Sequence, residues 1–252
     1  MDIRPVSGAL GVEVRGLDLE RLDDAGVQTV RELVLEHLVV FFPEQQLSVG
    51  GHHRLGTALG EVVANSYTLP ADPEFPGVTL HRSEDGYVAD VWHSDGQPRP
   101  APVKFTIFKM LTPPSRGGDT MWSNQQLVYE RLSTPMRAML DGLTALQRSL
   151  VNPDVQATHP AVLTHPETGR KLLYVNHSYT VGFEGMTEAE SKPLLNYLLD
   201  HGHRPEFTCR FRWEPGSVAF WDNRVCKHLA VHDAGPYKRM MRRIQICGTR
   251  PV

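Results

Sequence analysis

Residues 24–38, DAGVQTVRELVLEHL, place Val27, Val30, Leu33, Val34 and Leu38 at helical spacing with charged residues between them. That pattern predicts an amphipathic helix with one buried stripe. The run VVFF (Val39–Phe42) follows at once and reads as a buried strand, ended by Pro43. Ser48 is placed to cap a second helix reaching about Leu59, and Ser123 and Ser133 to cap two short ones within SNQQLVYERLSTPMRAML. Thr187 opens TEAESKPLLNYLLDHG with Glu190 at the capping-box position and Gly202 as its stop. Strands are expected at 103–111, 143–150, 171–175, 206–213, 217–222 and 239–247, several alternating apolar with polar as a half-buried antiparallel sheet requires. Residues 64–90 are rich in Pro, Asp and Gly and lead into VWHSDG. This stretch reads either as an active-site lid or as a surface excursion. With no repeat or linker, a single domain over 1–252 is expected.

Composition narrows the partners. A chain of 252 residues buries roughly 70–75% of its unfolded surface and needs no disulfide or structural metal to fold. A net charge of −3 gives no reason to expect nucleic acid or an anionic membrane as partner. Cys209, Cys226 and Cys247 are widely spaced and odd in number, which argues against a disulfide framework and a thiolate zinc site. The start, MDIRPVSGALG, lacks a signal-peptide pattern, and no apolar run approaches ~18 residues, so a cytoplasmic protein is expected. Twelve histidines direct attention to metal chemistry.

Two His-x-(Asp/Glu) pairs occur, His93-x-Asp95 and His165-x-Glu167, close to what 12 histidines and 29 acidic residues would give by chance. His165 lies in THPETGRK, which reads as a hairpin turn and makes a poor ligand. His93 and Asp95 are the stronger pair, because residues i and i+2 of a strand point to one side and can grip one ion. Two histidines and a carboxylate on one face leave three coordination positions open, the arrangement of non-haem Fe(II) oxygenases. A distant histidine is therefore sought, and GSVAFWDNRVCKHLAVHDAGPYKRMMRRIQICG offers His228 and His232.

The same segment carries Lys238, Arg239, Arg242 and Arg243. A solvated basic face is one reading. However, in RMMRRIQICG the residues Arg239, Met241 and Arg243 should share one face, and Met240 and Arg242 the other. An inward arginine needs an anionic partner, and a dicarboxylate cosubstrate gripped bidentately would supply it.

With these residues in hand, the chain resembles the taurine dioxygenase / 2,4-dichlorophenoxyacetate dioxygenase family of Fe(II)- and 2-oxoglutarate-dependent oxygenases. The likeness covers most of the chain, with WHSDG, PPSRGGDTMW, HPETGRKLLYVN, RFRWEPGSVAFWDNRVCKH and RMMRR in family order. It implies a mainly β fold, a double-stranded β-helix (jelly-roll) core with flanking helices. It implies Fe(II) on His93, Asp95 and His228, the last chosen over His232 because it follows WDNR directly. Thr120 and Arg239 match the positions that hold the far carboxylate of 2-oxoglutarate, and Arg243 an arginine that contacts an anionic substrate group. O2 is the oxidant, with succinate and CO2 released as a substrate C–H bond is hydroxylated. Asn65, Tyr67 and Tyr179 fall where substrate-contacting residues are expected. Taurine dioxygenase has a histidine where this chain has Asn65 in LGEVVANSY, which argues against taurine itself. The presence of Asp95 argues against halogenation. Family members are commonly homo-oligomers.

Other readings stay open on the residues alone. A tailoring oxygenase on the same iron centre would desaturate or rearrange its substrate. A zinc-type metallohydrolase also uses such a triad but leaves GGDT and Arg239 unexplained, and a binding jelly-roll without catalysis needs no intact triad. Trp92, Trp122 and Trp221 are expected to pack the barrel, His177, His201 and His203 to sit in loops or helix ends, and Asn223 either to orient a ligand or to satisfy a turn.

Overall fold

The computed structural model describes residues 1–64, 69–83, 89–235 and 238–252. The chain opens with two short strands, β1 (Asp2–Pro5) and β2 (Val12–Arg15), followed by helix α1 (Asp24–His37), strand β3 (Val39–Phe42) and helix α2 (Val49–Leu59). Ser48 caps α2 by accepting from the Gly51 N–H, as the sequence predicts. Strands β4 (Thr79–Arg82) and β5 (Val103–Thr112) come next. The stretch expected as a loop at 64–90 therefore contains an edge strand. Beyond lie β6 (Thr120–Asn124), α3 (Gln125–Glu130), α4 (Thr134–Leu140), β7 (Thr144–Arg148), β8 (Gln156–Pro160), β9 (Val162–Thr164), β10 (Lys171–Leu173) and β11 (Thr180–Phe183). The chain ends with α5 (Glu188–Gly202), β12 (Thr208–Phe211), β13 (Val218–Asp222), β14 (Cys226–Ala230) and β15 (Met240–Cys247).

Seven of these strands form one sheet in the order β1-β2-β3-β13-β5-β15-β4, and β12-β6-β14 form a smaller one. At its centre the large sheet is buried on both faces, which explains why VVFF, buried at all four positions, carries no polar alternation. Val40 and Phe42 join α1 and α2 in a core with Val34, Leu55, Ile107 and Ile244. Val39 and Phe41 point the other way, into a core shared with Trp122, Trp213, Trp221 and Met241 between the two sheets. A third core gathers α3, α4 and α5 around Val128, Leu140, Leu173 and Leu198. This mainly β, jelly-roll architecture with flanking helices is the expected one. No helix among the described residues is long and apolar enough to cross a membrane.

Three local expectations need correction. Ser123 does not cap α3; it belongs to β6, and its hydroxyl donates to the Gly202 carbonyl (2.7 Å). Asn124 is the cap, accepting from the Gln126 and Leu127 N–H groups. The strand expected at 206–213 is shortened because 205–207 form a 3-10 turn that starts at Pro205. His93 and Asp95 are not on a regular strand: His93 makes an isolated antiparallel bridge to His228, and Asp95 begins a turn over 95–98 in which Gly96 has φ +67°.

Candidate active site

The bridge between His93 and His228 is the foundation of the site. Each backbone N–H donates to the other's carbonyl, at 3.0 and 2.8 Å, so two residues far apart in sequence share one rigid pair. Their rings lie 4.2 Å apart. Asp95 completes the group: its Oδ1 is 3.7 Å from Nε2 of His93 and 3.8 Å from Nε2 of His228. All three side chains are at least nine-tenths buried, and their ligand atoms lie within 4.8 Å of one another. These separations exceed hydrogen-bonding reach. The 3.7 and 3.8 Å separations from Asp95 are spans that an ion about 2.0–2.2 Å from each ligand atom can bridge.

The remaining atoms of His93 and Asp95 are committed elsewhere, in the way that a metal site needs, whereas Nδ1 of His228 is buried without a hydrogen-bond partner among the described residues. Nδ1 of His93 lies 2.8 Å from the Val91 carbonyl. A carbonyl only accepts, so Nδ1 carries the proton and Nε2 is bare toward the triad. The Thr106 hydroxyl on β5 donates to Oδ2 of Asp95 at 2.7 Å, leaving Oδ1 for the triad. Asn223 donates from Nδ2 to the Thr106 oxygen (2.8 Å), and its Oδ1 accepts from the Asp95 N–H (3.1 Å) and the Trp221 indole N–H (3.0 Å). Asn223 is therefore an orienting residue and not a turn filler. Thr106 was missed by sequence reasoning. Its signal was a lone hydroxyl inside VKFTIFKML.

Electrostatics keep the triad ready for a cation. Burial alone would raise the Asp95 carboxyl, yet His228, Arg243, His93 and the Thr106 hydroxyl together hold it below the usual carboxylate range. Burial, with His93 beside it, pushes His228 down to about 3, against the pull of Asp95. The Asp95 carboxylate, the neutral imidazole of His228 and the bare Nε2 of His93 are thus a fit for a divalent metal with three open positions.

Two cavities meet at the triad. One, of about 200 Å³, is lined by His93, Asp95, His228, Thr120, Arg239 and Arg243, and also by His81. Arg239 and Thr120 meet there, Nη2 donating to Oγ1 at 3.4 Å, while Thr120 Oγ1 also accepts from Trp213 (2.9 Å). Burial lowers the Arg239 guanidinium to about 10, with Asp119 opposing, so it stays charged at neutral pH. Thr120 is positioned by the glycine pair of GGDT. Gly117 has φ +63°, and a Cβ there would come within 2.8 Å of the Asp233 carbonyl oxygen. The second cavity, of about 260 Å³, is lined by His93, Asp95, Arg243, Arg99 and Tyr179 and by Val91, Leu150, Val151 and Val155.

The predicted alternation of the basic run holds. Arg239, Met241 and Arg243 face the triad cavity, while Met240 and Arg242 line a separate hollow on the other face of β15. His232 lies at the rim, 3.5 Å from Asp90, and is not a member of the triad. His165 is hydrogen-bonded to Asp222 at 3.0 Å and Glu167 is ion-paired with Arg224 at 2.7 Å, so this second His-x-Glu pair is spent on structural contacts. Trp122 and Trp221 pack the interior as expected, whereas Trp92 stacks on His203, which stacks in turn on His177. Asn65 and Tyr67 lie outside the described residues.

The chain matches the family model for taurine catabolism dioxygenases, the TauD, TfdA family, over residues 2–245. It is similar to an alpha-ketoglutarate-dependent sulfate ester dioxygenase of Pseudomonas putida, 33% identical, with 100% of this chain and 91% of that protein covered. It is 32% identical to an alkylsulfatase of Acinetobacter baylyi, with 98% and 85% covered. A crystal structure of a taurine dioxygenase from Burkholderia xenovorans superposes with a TM-score of 0.92 at 39% identity, covering 100% of this chain and 90% of that one.

Proposed function

The chain belongs to the TauD, TfdA family of 2-oxoglutarate-dependent dioxygenases, and from that premise we propose that it hydroxylates a C–H bond beside a sulfate, sulfonate or similar anionic group on a substrate with an apolar body. Fe(II) is held by His93, Asp95 and His228, and the far carboxylate of 2-oxoglutarate by Arg239 and Thr120. The observation that carries this reading is the Arg239–Thr120 contact in the cavity that the triad lines. A zinc-type hydrolase reading leaves the pairing of Arg239 with the Thr120 of GGDT unexplained.

Bound there, iron and 2-oxoglutarate supply the oxidising power, decarboxylation to succinate and CO2 being coupled to oxygen insertion from O2. The protein's own residues do the positioning. Thr106 and Asn223 fix the Asp95 carboxylate, and the Val91 carbonyl fixes the His93 ring. Arg243 lines both cavities and is placed to hold the substrate anion next to the cosubstrate, bringing the adjacent carbon to the metal. Val91, Leu150, Val151 and Val155 line the mouth of the substrate cavity, where they cover an apolar body and exclude water. The sulfate ester dioxygenase and the alkylsulfatase among its relatives support an anion on an alkyl chain. Hydroxylation of the carbon bearing the anion gives an unstable product whose hydroxyl loses its proton and becomes an aldehyde carbonyl, with C–O cleavage releasing sulfate or C–S cleavage releasing sulfite.

The test is anaerobic addition of Fe(II) and 2-oxoglutarate to the apo-protein, followed by succinate release on a panel of alkyl sulfates, alkyl sulfonates and their alcohols. A visible charge-transfer band and substrate-dependent succinate from the anionic members are expected. A protein that binds metal without the band, or turns over the alcohols equally well, would overturn the reading.

A further inference from the structure

Among the polar residues that line the cavity beside the triad and have no task in the reading above, His81 shares the strand face of the arginines. His81 sits on β4, the edge strand inside the stretch expected as a loop. β4 pairs antiparallel with β15, with Met241 opposite His81 and Arg243 opposite Thr79. Directly opposed residues of an antiparallel pair share a face. His81 therefore projects to the side of Met241, Arg239 and Arg243, away from Arg242, and it lines the same cavity as Thr120, Arg239 and the triad.

Three features constrain the ring. It packs 5.8 Å from Phe108, tilted by 46°. Its Nε2 lies 3.1 Å from the Thr79 hydroxyl. Burial, helped by Arg243 and Arg239 and opposed by Asp95, pushes its pKa down to about 3, so the imidazole is neutral and has one donor and one acceptor nitrogen. The Thr79 hydroxyl has two acceptors in reach, the Arg243 carbonyl at 3.5 Å and Nε2 of His81; when it donates to Nε2, Nδ1 carries the proton. A ligand with two carboxylates needs donors around it, and a bare nitrogen lone pair facing it would repel. A bound dianion thus selects the Nδ1–H form, with the Thr79 hydroxyl turned to Nε2.

We infer that His81 is a further cosubstrate-binding residue, donating from Nδ1 to a carboxylate oxygen of 2-oxoglutarate. This rests on the assignment of the Arg239–Thr120 cavity to the cosubstrate. It gives β4 a function, because the strand carries a ligand-binding side chain from the 64–90 segment into the sheet that holds the arginines.

The experiment is an anaerobic titration of 2-oxoglutarate into the Fe(II)-loaded wild type, His81→Phe, His81→Gln and Thr79→Val, reading the charge-transfer band. His81→Phe keeps a ring against Phe108 and removes both nitrogens. Its dissociation constant for 2-oxoglutarate should rise about 10-fold or more, the size expected for a lost bond to a charged group. His81→Gln, which retains an N–H donor, should fall between, and Thr79→Val should weaken binding less than His81→Phe does. The KM of the primary substrate at saturating 2-oxoglutarate should stay within about 2-fold, which a general loosening of the site would not allow. Unchanged 2-oxoglutarate affinity in His81→Phe and His81→Gln, both still binding Mn(II) like wild type, would overturn the inference, as would an effect confined to the substrate KM. Absence of the band in wild type would instead overturn the cosubstrate assignment itself.

Discussion

Thr106→Val isolates the support of the metal site from the site itself. Valine has nearly the shape of threonine, so the packing of β5 between β13 and β15 is retained and the hydroxyl alone is lost. Two buried bonds go with it, the 2.7 Å donation to Asp95 Oδ2 and the 2.8 Å bond from Asn223 Nδ2. The first is to an ionised group and contributes about 1.5–3 kcal/mol; the second leaves a buried amide proton unpaired, at a cost of about 1–3 kcal/mol. Only the part that orients Asp95 reaches the metal. Groups that orient a ligand alter metal affinity by about 10–100-fold, equivalent to about 1.4–2.7 kcal/mol, which matches the first bond. The expected result is a Mn(II) dissociation constant raised at least 10-fold, read from the EPR signal of free Mn(II), with a lower melting temperature for the apo-protein. Mn(II) affinity within about 2-fold of wild type would refute the reasoning even if stability fell, since Thr106 would then serve packing alone.

Arg239→Ala should raise the 2-oxoglutarate requirement at least 10-fold, and Arg239→Lys should recover little because the planar fork is lost; cosubstrate titration under anaerobic conditions decides it, and unchanged affinity moves the anchor elsewhere. The Asp222 carboxyl is buried, which would raise it, but Arg224 and His165 hold it well below its ordinary value. Such a group adds stability that is fully present above the unfolded value of about 3.9 and is lost as pH falls toward the folded pKa. Asp222→Asn should therefore cost about 3–5 kcal/mol at pH 7 and progressively less below about pH 4, as followed by denaturant unfolding across pH. Leu150 and Val151 are 75% and 81% exposed, so replacing both with serine should leave the melting temperature unchanged. Each side chain that covers a substrate tail contributes at most about 1.5–3 kcal/mol, so KM for long-chain substrates should rise roughly 10-fold per contact while short-chain members are unaffected.

The sequence reports what depends on one segment and conceals what depends on register. Helices α1, α2 and α5 were legible because each has its own cap and apolar stripe, and β3 because VVFF has to be buried whichever neighbours it takes. Asn124 rather than Ser123 caps α3 because β6 runs one residue further than local preference implies, drawing the Ser123 hydroxyl to the end of α5. His93, Asp95 and His228 were legible as candidate ligands through residue type and spacing. Thr106 and His81 were not, since their significance comes from partners on other strands: β5 is aligned so that Thr106 lies opposite both Trp221 and Gln245, and β4 so that His81 lies opposite Met241. No local pattern encodes such pairings.

The way in which the side chains of His93 and Asp95 converge is the sharpest example. Strand alternation predicted that they would point to one side, and they do, but through different geometry. The reciprocal backbone bonds between His93 and His228 fix two imidazoles together, and the chain then leaves the bridge, turning through Asp95 onto Gly96. A Cβ at Gly96 would press on Val103 at 3.0 Å, and φ +67° disfavours any other residue. The glycine of WHSDG thus serves the turn that swings the carboxylate back beneath the two rings, where the Thr106 hydroxyl holds it. A continuous strand would have carried residue 95 along the sheet and away from Asn223, whose Oδ1 accepts the Asp95 N–H only because the chain turns there. The motif is therefore a bridge followed by a turn, and its rigidity comes from the three strands that support it: β14 through His228, β5 through Thr106, and β13 through Trp221, whose indole anchors Asn223.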